Sequence, residues 1–170
     1  MEESHWADKI ARKLIETNPG KKKFVLASGI TPSGKVHIGN FRDIITSDLV
    51  CRALKEKGFQ SEMIFSWDDY DRLRKIPSDV PESFSQYLGM PIIEIPDPYG
   101  SHNSYAKHFE SDFEDILLPL GINLRFIYQS KMYKSNKYHK GIKKALQERK
   151  KIAKILGDFR TQGISEEEIK

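Results

Sequence analysis

An α/β fold built on a parallel sheet is what the sequence predicts. Apolar runs of strand length at 24–27, 63–65 and 123–128 alternate with amphipathic runs of helix length, and that alternation favours parallel strands joined by crossover helices. A glycine-rich segment, residues 29–40, joins the first strand to the first long helix. There is no internal repeat and no low-complexity segment.

Taken in order, residues 4–16 place Trp6, Ile10 and Leu14 at helical spacing, and Asn18, Pro19 and Gly20 stop that helix. Lys21, Lys22 and Lys23 lead into the first strand as a solvated approach. Residues 38–57 carry Ile38, Phe41, Ile45, Leu49 and Ala53 on one face and end at Gly58, a helix terminator. The next strand, 60–67, delivers Asp68, Asp69 and Asp71 at its carboxyl end. Ligands of open parallel sheets sit outside the carboxyl ends of the strands, so these acids and the glycine-rich segment are expected on one rim. Prolines are frequent from 77 to 98, and 77–110 reads as an insertion or long connection with a short helix near 82–88. A helix at 104–118, a strand at 123–128 and a long basic helix at 135–156 follow, the last with Ile142, Ala145, Leu146, Ile152, Ala153 and Leu156 inward.

A strand that feeds a helix through glycines leaves the first helical N–H groups without partners at the positive end of the macrodipole, where an anion belongs. Pro32 fixes its own φ and holds Thr31 extended, so the turn is stiff on that side. Residues 29–36 also fit the P-loop spacing G-x-x-x-x-G-K, with 63–69 as the acidic strand. The fit fails at Val36, which stands where a Ser or Thr hydroxyl must reach Mg²⁺, and the reading as a P-loop NTPase falls with it.

The 170 residues suffice for one sizeable core, and a net charge of +4 favours a polyanionic partner. No apolar stretch approaches membrane-spanning length, and Glu2, Glu3 and Asp8 are unlike the start of a signal peptide, so a cytoplasmic protein without a membrane partner is expected. Cys51, the single cysteine, can form no internal disulfide and reads as a small core residue of the helix at 38–57.

Residues 32–40, Pro-Ser-Gly-Lys-Val-His-Ile-Gly-Asn, resemble the H-I-G-H signature of class I aminoacyl-tRNA synthetases. The string Ala-Ser-Gly-Ile-Thr-Pro-Ser-Gly at 27–34, Trp67-Asp68-Asp69-Tyr70-Asp71 and Arg72-Leu73-Arg74-Lys75 look like the lysyl-tRNA synthetases of that class. Tyr87-Leu88-Gly89-Met90-Pro91, then Asp97-Pro98 and Ser104-Tyr105-Ala106, extend the likeness along nearly the whole chain. Asn40 takes the place of the last signature His, as the lysyl enzymes accept. The resemblance implies a Rossmann-like parallel sheet flanked by helices, the first half of a class I catalytic domain over 1–170, with no anticodon-binding domain in this chain. It implies activation of lysine by ATP, with Mg²⁺, to lysyl-adenylate, and transfer to tRNA(Lys), by a monomer without a DNA partner. His37 and Asn40 are then the catalytic residues; Pro32, His37, Gly39 and Asn40 bind ATP; Gly29, Thr31 and Asp69 bind lysine or its adenylate; no metal ligand is expected.

Lys131-Met132-Tyr133-Lys134-Ser135 imitates the second signature of this class, K-M-S-K-S. That loop follows the last strand of the fold's second half, whereas only three strands precede these residues, so they read as a basic lead-in to the last helix. Asp97, Ser101, His102 and His108 have zinc-ligand spacing. Some lysyl enzymes of this class carry Cys where this chain has Ser101, and Ser replaces a thiolate poorly, so a metal-free loop is expected. From Lys131 to Lys154 ten Lys or Arg stand against one Glu, which fits either a solvated face or a track for tRNA phosphates. The chain closes near Glu166, Glu167 and Glu168 without a second signature. A fragment that does not aminoacylate alone is expected, with a stand-alone tRNA- or RNA-binding paralogue lacking catalysis as the alternative.

Overall fold

The computed structural model describes residues 5–159, so Glu2, Glu3, Ser4 and the acids at 166–168 lie outside it. Two compact units divide the chain, residues 1–130 and 131–170. In the first, helix α1 (Trp6–Thr17) precedes strand β1 (Lys23–Ile30), helix α2 (Ile38–Glu56), strand β2 (Gln60–Trp67), helix α3 (Tyr105–Leu117) and strand β3 (Arg125–Tyr128). Helix α4 (Gln129–Lys134) begins where this unit ends.

The three strands form one parallel sheet in the order β1-β2-β3. Ile30 pairs with Trp67 and Trp67 with Tyr128, so the strands end level and share one rim. Alternation sends Met63, Phe65 and Trp67 to the face covered by helices, where they pack with Ile44 of α2 and Phe113 and Leu117 of α3. Every strand-to-strand connection contains a helix, as a parallel sheet requires. The α/β expectation and its Rossmann-like order hold.

Helix α2 buries a wider stripe than the expected face: Phe41, Ile45, Leu49 and Ala53 pack inward as expected, and further residues join them. Its buried residues include Ile44, Val50, Cys51 and Leu54, whereas Ile38 is 81% exposed. The physical reason is that α2 has two neighbours: Ile44 meets the sheet, while Val50, Ala53 and Leu54 pack against Ala7 and Ala11 of α1. The buried stripe is their resultant. Cys51 is buried, with its thiol donating to Ser61 Oγ at 3.2 Å.

Between β2 and α3, two 3₁₀ turns (Glu82–Tyr87 and Ile92–Glu94) lie in the proline-rich connection. That connection has its own small core, in which Leu73, Val80, Ile92 and Ile95 pack with Tyr105 and Phe109 of α3.

In the second unit, the single helix expected over 135–156 is two, α5 (His139–Gln147) and α6 (Arg149–Asp158). Asn136 adopts φ +60°, a left-handed conformation that asparagine tolerates and a helix does not, so α5 starts later than expected. Glu148 ends α5 by donating its N–H to Lys144 O. Ile142, Leu146, Ile152 and Leu156 are substantially exposed rather than inward.

Candidate active site at the rim of the sheet

His37 stands one residue before α2 in an extended conformation, and its Nδ1 accepts the Gly39 N–H at 3.1 Å. Asn40 Oδ1 reaches back to accept the His37 N–H at 3.4 Å. The two side chains complete a reciprocal capping box, with His and Asn in the roles usually held by Ser or Thr and Glu. With Nδ1 engaged as acceptor, Nε2 is the ring nitrogen left to donate, on an exposed side chain.

This cap alters the view of the helix terminus as an open cradle. The N–H groups of Asn40 and Phe41 both bond to His37 O, at 3.0 and 3.2 Å, and Gly39 N–H is taken by the ring. The donor offered to an anion is therefore the His37 ring more than the bare backbone. Gly39 is fitted to that ring: a Cβ built there lies 2.9 Å from His37 Cε1. Gly29 is constrained by the sheet itself, since a Cβ there lies 2.6 Å from Ser66 O. Pro32 is fully buried and shapes the loop from within. The loop is tied on one side by Tyr105, whose hydroxyl donates to Ser33 O at 2.8 Å.

Of the acids after β2, Asp69 is turned into the protein. It is fully buried, Ser130 N–H donates to its Oδ1 at 2.7 Å, and Ser130 Oγ donates to its Oδ2. Its carboxylate links the end of β2 to the start of α4. Asp68 is half-buried; burial pushes its carboxyl up, the Ser66 hydroxyl bond opposes that, and the neighbouring Asp71 and Asp69 add to it. Asp71 is exposed and accepts from Thr31 Oγ1 at 3.4 Å. Asp71, which sequence reasoning did not single out, is thus the acid that shares a wall with Thr31. Only its place on the same rim signalled it.

A cleft of about 310 Å³ opens beside that pair, lined by Thr31, Ser33, Asp71, Arg72, Arg74 and Lys75. Beneath the rim, Glu114 accepts from Trp67 Nε1 at 2.8 Å and from Tyr128 hydroxyl at 2.9 Å, fastening α3 to the ends of β2 and β3. Burial and the Glu114 bond push the Tyr128 phenol well up. Glu110 of α3 is buried and ion-paired to Lys107, and burial pushes its carboxyl up against the pull of that ammonium.

Asp97, His102 and His108 form a second cluster, with one ligand-type atom from each within 4.8 Å of the others. Its chemistry does not fit a closed structural zinc site, which takes four donors from Cys, His or carboxylate. The fourth position holds the Ser101 hydroxyl, 2.9 Å from His102 Nδ1 and 3.1 Å from His108 Nδ1. Asp97 is already engaged: its carboxylate accepts from the N–H groups of Tyr99, Ser101 and His102 and from Ser101 Oγ.

The family model described as tRNA synthetases class I (K) matches residues 4–169. The chain is 50% identical over 156 residues to a lysine–tRNA ligase of Pyrococcus horikoshii, an alignment covering 92% of this chain and 30% of the relative. A lysine–tRNA ligase of Treponema pallidum is 47% identical over 160 residues, covering 93% of this chain and 30% of the relative. That of Methanocaldococcus jannaschii is 44% identical over 163 residues, covering 96% and 31%. The chain therefore spans about 30% of the length of these relatives. With the His37–Asn40 cap at the start of α2 and a parallel sheet beneath it, these matches show that the chain belongs to the class I (K) tRNA synthetase family.

Proposed function

We propose that this chain is the part of a lysine–tRNA ligase that binds ATP and lysine and forms lysyl-adenylate, by the following chemistry. A lysine carboxylate oxygen attacks the α-phosphorus of ATP, supplied as its Mg²⁺ complex; a P–O bond forms, and pyrophosphate leaves with the electron pair of the bond that breaks. No protein nucleophile is needed, so catalysis rests on positioning and on donors aimed at the growing charge. His37 Nε2–H donates to a phosphate oxygen. Asn40 holds the ring for that task through the His37 backbone, and Gly39 leaves the ring its space. The bare backbone of Gly29 and the Thr31 hydroxyl border the amino acid. Asp71, beside Thr31, offers the negative charge for a substrate ammonium, and Asp69 acts through Ser130 to position the rim.

The acyl group then passes to tRNA(Lys). The proposal includes action in the cytoplasm as a monomer, with RNA and not DNA as the nucleic-acid partner. Among the described residues no helix is long and apolar enough to cross a membrane. The metal-free loop around Asp97 belongs to the same reading, on the strength of its donor set. The observation that supports it is the His37–Asn40 cap, which fixes the orientation of the His37 ring at the start of α2.

The test is thermal melting of the chain with a non-hydrolysable lysyl-adenylate analogue and with matched analogues of other amino acids. Selective stabilisation by the lysyl compound, lost in His37→Ala, is expected. No shift with any analogue, together with retained RNA binding, establishes the alternative, a binding module without catalysis.

A further inference from the structure

We propose that the apolar faces of α5 and α6 lie on the surface of an anionic lipid bilayer. The site belongs to the second unit alone and does not rest on the function proposed above.

Neither helix buries a residue. Ile142 and Leu146 on α5, and Ile152, Ile155 and Leu156 on α6, recur at three- and four-residue spacing and are 39–64% exposed. Phe159, directly after α6, is 84% exposed. Single apolar residues scattered over a surface need no explanation, but stripes this regular mark a face that something covers. Helices of 9 and 10 residues are also marginal in water without packing, so a partner that covers the stripes stabilises the helices as well.

Charge selects the partner. The faces opposite the stripes carry Lys140, Lys143 and Lys144 on α5 and Lys150, Lys151 and Lys154 on α6. From 139 to 158 seven Lys or Arg stand against two acids, and one of the two, Glu148, is already paired with Lys144 at 2.8 Å. A bilayer with anionic headgroups matches both halves of this pattern. Its acyl boundary takes the stripe, and the lysines beside the stripe extend their ammonium groups to the headgroups. Lysine is a point charge on a flexible stem rather than a fork for bidentate recognition, which suits a fluid surface. RNA phosphates would engage the same lysines but leave the stripes in water. Neither helix is long and apolar enough to cross a membrane, and a helix lying in the headgroup plane does not have to be. The expectation of no membrane partner rests on the lack of a spanning stretch, which leaves this mode open.

The experiment is co-sedimentation of the whole chain with vesicles of equimolar phosphatidylcholine and phosphatidylserine, and with vesicles of phosphatidylcholine alone. Leu146→Ser/Leu156→Ser removes two apolar anchors, and Lys143→Gln/Lys150→Gln/Lys154→Gln removes three charges. We expect the wild type to bind the anionic vesicles, with a gain in helix signal by circular dichroism, and to ignore the neutral ones. The leucine variant should lose about tenfold or more of its partitioning. The lysine variant should lose roughly fivefold per charge, and less at high salt. The substituted residues are exposed, so melting temperatures should stay near that of the wild type, which separates lost binding from lost folding. Leu146→Ser alone serves where the double variant melts early. Binding to neither kind of vesicle, equal binding to both, or unchanged binding by the leucine variant overturns the proposal. A chain that ignores vesicles yet binds RNA through these lysines also overturns it and assigns them to phosphates. Self-association that the leucine variant abolishes, without vesicle binding, overturns it in favour of a second copy.

Discussion

His37 and Asn40 cap one another across the first turn of α2, the imidazole accepting from Gly39 N–H and the amide oxygen accepting from His37 N–H. The signature residues are thereby structural, and under the proposed function chemical as well; substitution separates the roles. Asn40→Ala removes half of the box and should cost about 1 kcal/mol, a drop in melting temperature of roughly 2–4 °C for a chain of this size. It should also weaken analogue binding, because the ring loses its support. His37→Asn keeps a capping oxygen and should melt near the wild type, yet lose the analogue's stabilisation. Equal analogue binding by His37→Asn and wild type would remove the imidazole from the mechanism.

Gly39→Ala tests the fit between glycine and ring. In a helix such a change ordinarily gains about 0.5–1 kcal/mol. Here the new Cβ meets His37 Cε1 at 2.9 Å, so the ring must swing away and give up its bond to the backbone. We expect no gain in melting temperature and at least a tenfold loss of analogue affinity. A stabilised variant that binds the analogue normally would show that the ring has room.

The strands, α3 and the rim were legible in the sequence because the signals are local: apolar runs of strand length, a run of helix length at 104–118, and Gly58 after the helix, which adopts φ +83°. The signature at 37–40 was legible as a motif, but not as a cap, because His and Asn are not the residues a capping pattern looks for. The face of α2 was legible at Phe41, Ile45, Leu49 and Ala53 but not at its full width, because periodicity reports one direction and this helix has neighbours in two. Asp69 and Asp71 were not separable from sequence. Two residues apart on the same rim, they differ only in what surrounds them, and Ser130, which takes up Asp69, lies 61 positions away.

That distant pair is itself testable. Asp69 is fully buried, and Ser130 supplies both its backbone and its side-chain donor. Ser130→Ala leaves one carboxylate oxygen without its hydroxyl, at a cost of about 1–3 kcal/mol. Asp69→Asn should also destabilise, since the amide group cannot accept at both positions. The double variant should lose clearly less than the sum, because neither change can break the same bond twice. Additive losses in chemical denaturation would show that the two side chains act independently.

The loop at Asp97 gives the last prediction, on pH and metal. Burial alone would raise the Asp97 carboxyl, but the bonds from Tyr99, His102 and Ser101 outweigh it and hold the group below the usual aspartate range. A carboxylate with a lowered folded-state pKa stabilises fully above its unfolded value, and the contribution is lost as pH falls through the lowered one. The gap in melting temperature between wild type and Asp97→Asn should therefore be widest near neutral pH and close in acid. We expect those bonds to hold the loop without a metal, so the purified chain should contain no stoichiometric zinc. Ser101→Cys should create a site, because a thiolate then joins Asp97, His102 and His108 as the fourth donor. Metal analysis showing one zinc per wild-type chain, lost in His102→Ala, would reverse this and make the Ser101 hydroxyl a neighbour of the ion rather than its replacement.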